Sequence, residues 1–306
     1  MISNFILQYC SALVVTFGSG LSLFSIHNGF FQIIQFEDNQ LISDNVVTQN
    51  CTDDEIRARI NEFKSSTLQY NSIRQLVYSC GKSSIPILTR SLQEDPLPTT
   101  RSAIAESLAY IGGVDAVNAL ILALDNDIEP SVRRKSASAL GYLRDLSAIN
   151  SLVVILKQEN QHIEIRKASA EALGEIGGKL ATDNLIDSTR DVSAPLALRN
   201  ISAQALEKIG EPAIDSLVEL LDDSNLQTRY YTVRTLSKIN SFRSNNALKT
   251  NQQKVIEILE AAYASNIIEF DRVPASTAGQ GTKEAFRKPL FCNIEWFAQY
   301  WGRCRS

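Results

Sequence analysis

The sequence predicts an all-α solenoid, a stack of helical hairpins, on three observations. An arginine, an alanine four residues on and a leucine seven on recur from Arg101, Arg133, Arg166, Arg199 and Arg229, at steps of 32, 33, 33 and 30 residues. A constant interval of that size marks stacked units, each too small to bury its own apolar face alone. The spacing inside each copy, i, i+4 and i+7, puts those residues on one stripe of a helix. Polar, turn-forming stretches separate the copies: Asp125-Asn126-Asp127 with Pro130, Gln158 to Gln161, and Asp222 to Asn225.

Taken in order, residues 1–51 precede the repeats. From Met1 to Phe36 there is no Asp, Glu, Lys or Arg, and Cys10 to Ile26 is nearly continuous in apolar or small residues. Three readings stand side by side: a segment crossing or lying on a membrane, an extra packed helix or hairpin, and an extension upstream of the true start. A secretory signal fits poorly, because the first basic residue is Arg57.

The repeats fill 52–262. A degenerate first copy starts at Tyr70, where Gly81 keeps the glycine but Arg74 and Val77 replace alanine and leucine. In the later copies Ala105, Ala137, Ala170 and Ala203 allow close helix approach, with Val233 in that place in the last. Leu108, Leu140, Leu173, Leu206 and Leu236 fill the space between. Gly112, Gly177 and Gly210 end the first helix of their units, and a second apolar helix follows, as in Ala116, Leu120, Ile121 and Leu124. Pro212 suits the first turn of such a helix. From Thr182 to Ser193 the polar residues predict a shortened second helix, the least regular point of the stack. Val255 to Tyr263 reads as a closing helix, Ala275 to Thr282 as a linker, and 263–306 as an aromatic and basic cap over the last apolar face or a tail that clasps a partner or an anionic surface.

Net charge −4 and a pI near 5.4, with lysine and arginine scattered, provide no field to attract nucleic acid. Five widely spaced cysteines argue against a disulfide framework and for a reducing compartment. His27 and His162 are the only histidines, which leaves almost no material for a zinc site or a Ser-His-Asp relay, and His162 reads as a solvated loop residue. No metal site is expected, and no catalytic residue stands out. Gly18-Ser19-Gly20 and Gly279-Gln280-Gly281 lack the strand, lysine and helix of a phosphate loop.

Two groups of residues remain as candidates. Arg101, Arg133, Arg166 and Arg199 share the core stripe, so their stems should lie against the next unit and their guanidinium groups near the loops, satisfied by carbonyls or by Asp127, Glu129 and Glu164. That is a structural ladder. Arg229, Tyr230, Tyr231 and Arg234 bring two aromatic faces and two cations into about one helical turn, suited to a flat molecule bearing carboxylates. Glu171 and Tyr142, with Tyr110, Glu106 and Glu175, belong to corresponding helices and are expected to share a groove.

The units Val132 to Gly141, Ile165 to Gly174 and Leu198 to Gly210, and the Arg229-Tyr230-Tyr231 segment, resemble the HEAT-like repeats of phycobilisome lyases, over about Thr52 to Ala262. Chain length and repeat number are similar to the E/F-type lyases that serve phycoerythrin. The resemblance implies a right-handed HEAT-like superhelix. It implies a protein that binds a linear tetrapyrrole, a phycoerythrobilin-like phycobilin, as substrate and joins it by a thioether to a cysteine of a phycobiliprotein. No cofactor is permanently bound, and a second lyase subunit is a further partner. The place implied is the cytoplasm or plastid stroma, beside thylakoids through the phycobilisome. The alternative is a non-enzymatic HEAT-repeat adaptor in phycobilisome assembly or degradation.

Overall fold

The computed structural model describes residues 13–17, 20–27, 30–36, 51–64, 69–265 and 267. The chain divides between Gln49 and Asn50 into two units. In the first, strands β1 (Leu13–Phe17), β2 (Gly20–His27) and β3 (Phe30–Phe36) form an antiparallel sheet in the order β1-β2-β3, with Val14 opposite Leu23 and Leu23 opposite Ile34. The strands correct the helical alternative for this segment. Its runs of β-branched and aromatic residues, and the Asn28-Gly29 pair between β2 and β3, are the signals that favour strands and a tight hairpin. Among the described residues no helix is long and apolar enough to cross a membrane.

The described residues of the second unit are all-α and stack helical hairpins, as HEAT-like repeats do. Helix α1 (Asp53–Glu62) leads into α2 (Gln69–Cys80) and α3 (Ile85–Glu94). The repeats proper pair α4 (Pro98–Ile111) with α5 (Val114–Asn126), α6 (Pro130–Leu143) with α7 (Ile149–Lys157), and α8 (Ile163–Ile176) with α9 (Lys179–Arg190). Then α10 (Leu196–Ile209) pairs with α11 (Ile214–Glu219), and α12 (Leu226–Ile239) with α13 (Phe242–Thr250). Helix α14 (Gln252–Ala264) closes the described stack.

Local chemistry sets these boundaries. Thr52 and Glu55 form a capping box at α1, and Asn225 caps α12 through the Thr228 amide. Pro98 and Pro130 open α4 and α6, where a missing N–H costs nothing. Gly177 ends α8 at φ 73° and donates its N–H to the Leu173 carbonyl at 2.8 Å. The units without this glycine end instead on Arg144 (φ 53°) and Asn240 (φ 47°) in the left-handed helical region.

The core is one continuous apolar column made of the repeated stripe. Ala105, Ala137, Ala170, Val233 and all five stripe leucines are buried. First helices pack directly on one another, α4 to α6 to α8 to α10 to α12, while second helices meet less extensively. The reason is small residues at the contact. A Cβ built on Gly141 would lie 2.8 Å from the Ala172 Cα, and one on Gly174 2.8 Å from the Ala205 Cα. Burying these faces offsets the ordering entropy that no single hairpin could meet alone.

Two expectations are corrected here. Helix α9 is not shortened: it runs 12 residues, because its buried polar side chains bond back to their own helix. Thr182 Oγ1 donates to the Gly178 carbonyl at 2.9 Å, Asn184 Nδ2 to Leu180 at 2.7 Å and Thr189 Oγ1 to Leu185 at 2.8 Å. The irregular second helix is α11, which tightens into a 3-10 turn at Leu220–Asp222. Second, Cys51 and Cys80 form a disulfide, with Cα atoms 5.2 Å apart, tying the start of α1 to the end of α2. Sequence spacing hid the pair, since only the packing of α1 on α2 brings positions 29 residues apart together. The other three cysteines lie outside the described residues.

Candidate functional site

The arginine ladder joins each unit to its neighbours. Arg133, Arg166 and Arg199 each donate Nε to a carbonyl at the end of the preceding second helix: Leu124 at 2.7 Å, Leu156 at 2.9 Å and Thr189 at 3.1 Å. In Arg133 and Arg199 the terminal nitrogens also reach forward, to the next inter-repeat loop and the first turn of the helix after it. Arg133 Nη1 donates to Gln161 at 2.7 Å, and Arg199 to Gln227, Thr228 and Asn225 at 3.0, 3.0 and 3.3 Å. Arg101 instead holds both Asp127 carboxylate oxygens at 2.8 Å and the Asp95 carbonyl at 2.8 Å. The Asp127 hydrogen bond raises the Arg101 pKa further. Glu129 and Glu164 do not serve as rungs; Glu164 pairs with Lys167 at 3.1 Å. His162 is the N-cap of α8, its Nδ1 accepting from the Glu164 amide at 3.3 Å, a role for which the loop sequence offered no signal.

Arg229, Tyr230, Tyr231 and Arg234 do not form an open aromatic clamp. Tyr230 and Tyr231 are each 7 % exposed, their rings 6.0 Å apart and tilted by 44°, so neither face is available to a flat ligand. Both tyrosines belong to the apolar core cluster, whereas the position of Tyr230 is held by exposed Arg134 and half-buried Lys167 on earlier first helices. Arg234 donates to Asn200 Oδ1 at 2.9 Å.

Tyr142 and Glu171 lie elsewhere, on the row of first helices. Tyr110 of α4 and Tyr142 of α6 meet edge to face at 5.6 Å, and both are exposed. Lys135 pairs with Glu106 at 2.9 Å beside them. On α8, Glu175 is bracketed by Lys208 at 2.5 Å and Arg144 at 2.8 Å, and these cations, Lys208 foremost, hold its pKa below the ordinary carboxylate value. Glu171, one turn earlier, is exposed and makes no ion pair or hydrogen bond. First helices form the more closely packed side of the stack. Aromatic edges, one unpaired carboxylate and several cations therefore share that side.

The opposite side carries a different feature. A cavity of about 450 Å³ opens between α9 and α11, lined by Asp183, Asp187, Glu219, Asp222 and Asp223, with Arg190 bonded to Asp223 at 3.0 Å. Its carboxylates disfavour an anionic guest. Among the described residues no group of His, Cys, Asp and Glu is arranged to hold a metal.

Two family descriptions match the chain: HEAT repeats over residues 117–199, and a PBS (phycobilisome) lyase HEAT-like repeat over residues 100–126. Residues 100–126 are thus similar to the HEAT-like repeat of phycobilisome lyases. The matched segments run from the start of α4 to the ladder arginine of α10, so they include the paired tyrosines, Glu171 and the tight helix row. No curated protein matches the sequence. Among solved structures, the complex of CpcE and CpcF of phycocyanin lyase from Nostoc sp. is 20% identical, covering 73% of this chain and 99% of that one, with a TM-score of 0.38. Human deoxyhypusine hydroxylase in complex with glycerol is 16% identical, covering 71% and 97%, with a TM-score of 0.30. Both likenesses are loose, and neither bears on the chemistry of this site.

Proposed function

We propose that this HEAT-like repeat protein is a phycobilin lyase, which binds a linear tetrapyrrole on its first-helix row and presents it to a cysteine of a phycobiliprotein subunit. One observation carries the reading. The segment matching the phycobilisome lyase repeat contributes Glu106 and Tyr110 to the row that continues through Tyr142 and Glu171. A phycobilin is a long conjugated chain with basic pyrrole nitrogens and two propionates. Aromatic edges pack on its rings, a carboxylate without a cation partner suits the protonated nitrogens, and lysine and arginine suit the propionates.

The chemistry asks little of the lyase itself. The acceptor thiol adds across the exocyclic ethylidene double bond: sulfur bonds to the exocyclic carbon, the π bond breaks, and the thiol proton ends on the ring carbon. No oxidant, metal or lyase nucleophile enters that balance. Rate gain comes from fixing the bilin conformation and holding the thiol within reach. Glu171 near the pyrrole nitrogens favours the protonated, more electrophilic bilin. The substrate is taken to be phycoerythrobilin-like, the acceptor a phycoerythrin subunit, the setting the cytoplasm or stroma beside phycobilisomes, with a second lyase chain as a further partner.

Mixing the purified chain with phycoerythrobilin and an apo-phycoerythrin subunit tests this. Expected is an acid-stable, fluorescent adduct at one cysteine, formed faster than without the chain, and slowed by roughly ten-fold or more in Tyr142→Ala and Glu171→Gln. Binding of the subunit with no acceleration of transfer would overturn the lyase reading in favour of an adaptor.

A further inference from the structure

The Cys51–Cys80 bridge sits where one bond decides whether a terminal helix stays docked. Helix α1 is the first helix of the stack, and its 10 residues are too few to hold a helix in water unaided. What docks it is limited: Ile56, Ile60 and Phe63 in the core, Ser72 Oγ donating to Glu62 at 2.6 Å, and Arg59 bonded to Gln75. The bridge adds a covalent tie from the residue before the N-cap Thr52 to the last residue of α2. Over a sequence separation of 29 such a tie shifts the balance between docked and free by about a hundredfold. Helices α4 to α12 are held by packing and by the arginine ladder, so opening this bond acts on the end of the stack alone.

The two cysteines differ in access. Cys80 is 2 % exposed at the end of α2, whereas Cys51 is only partly buried against the core. A thiolate from outside therefore reaches Cys51 first. The cytoplasm or stroma proposed above keeps thiols reduced, and a bridge in such a place is transient and redox-sensing. In this the inference rests on the proposed setting and not on bilin transfer. We infer that Cys51–Cys80 is a reversible redox latch on α1, opened by a dithiol reductant. The thiolate of the dithiol bonds to Cys51 Sγ, the S–S bond breaks, and the electron pair leaves on Cys80 Sγ, which takes up a proton. The second sulfur of the dithiol then displaces Cys51 as a thiol, so two electrons and two protons pass to the protein and the dithiol becomes a disulfide. Opening frees α1 and loosens the last turn of α2, which carries Tyr78. That side chain is exposed, lies 5.7 Å from the Arg74 guanidinium, and precedes Tyr110 by the same 32 residues that separate Tyr110 from Tyr142. The latch thus holds the helix that extends the tyrosine spacing by one unit.

The test equilibrates the full-length chain in dithiothreitol redox buffers, alkylates its thiols for peptide mapping, and follows amide exchange in the same samples. The expected result is that Cys51 and Cys80 open together within the range over which a thioredoxin-class dithiol titrates, and pair again when the buffer is made oxidising. On opening, α1 amides exchange roughly a hundred times faster while those of α6 to α10 do not change. Cys51→Ser and Cys80→Ala each show the fast α1 exchange in every buffer; should one variant fail to fold, the other and the reduced wild type carry the comparison. A bridge that stays closed across the whole range is a permanent staple and overturns the inference. So does a bridge that opens with no change in α1 exchange. Neither result touches the lyase reading, which stands or falls on the transfer assay.

Discussion

Arg101 and Asp127 sit 26 residues apart in sequence and tie the first helix of one unit to the loop that leads into the next, with both carboxylate oxygens held at 2.8 Å and both side chains under 10 % exposed. Fork-to-carboxylate geometry fixes the angle between units as well as their contact. Removing one partner leaves the other charged and buried. Asp127→Ala is therefore expected to cost about 3 kcal/mol in urea unfolding, with Arg101→Met cheaper in the Asp127→Ala background than in the wild type. Additive single effects in a double-mutant cycle would contradict the pairing.

The tight row of first helices depends on absent side chains. Gly174→Ala would put a methyl group 2.8 Å from the Cα and Cβ of Ala205 and 2.9 Å from its carbonyl oxygen, all of them anchored in a helix. The backbone must shift, and the expected cost is about 1–3 kcal/mol despite the better helix propensity of alanine. A Gly174→Ala protein as stable as the wild type by calorimetry would mean that α8 and α10 lie farther apart.

The Cys51–Cys80 bridge closes a loop of 29 residues around α1 and α2, at the end of the stack with fewest neighbours. Constraining the unfolded chain over that length contributes about 3 kcal/mol. Cys51→Ser, or a reductant with the wild type, should lower the melting temperature of the N-terminal helices and leave α6 to α10 protected in hydrogen exchange. Non-reducing peptide mapping that shows Cys51 and Cys80 as thiols under aerobic conditions would refute the bridge.

Glu175 ties acid stability to the first-helix row. Its folded-state pKa is depressed by Lys208 and then Arg144, so its contribution is fully present above the ordinary glutamate pKa and is lost as pH falls through the lower folded value. Glu175→Gln should thus be less stable than the wild type near neutrality, and the gap should close in strong acid. A constant gap across that range would show that the carboxylate charge contributes nothing.

Much of this was readable in the residues. The period near 33, the alanine and leucine stripe and the glycine stops specify helical hairpins, because periodicity and caps are local properties. Arginine on the core stripe also implied a rung between units. The burial of Tyr230 and Tyr231 was not legible, because it is a property of the packed stack and not of the segment that carries them. His162 as a cap and the buried polar residues of α9 escaped for the same kind of reason: a polar side chain that bonds its own backbone looks in sequence like one facing water.

By itself, then, the sequence determined the repeat, its helical character, the core stripe and the local likeness to phycobilisome lyase repeats, all set by contacts within about one unit. Only the tertiary structure decided which side chains stay in reach of a guest, since burial depends on what the next unit lays over them. It set the tyrosine edges on the row of first helices, put the tyrosine pair of α12 in the core, joined two distant cysteines, and left one arginine of the ladder without an acceptor.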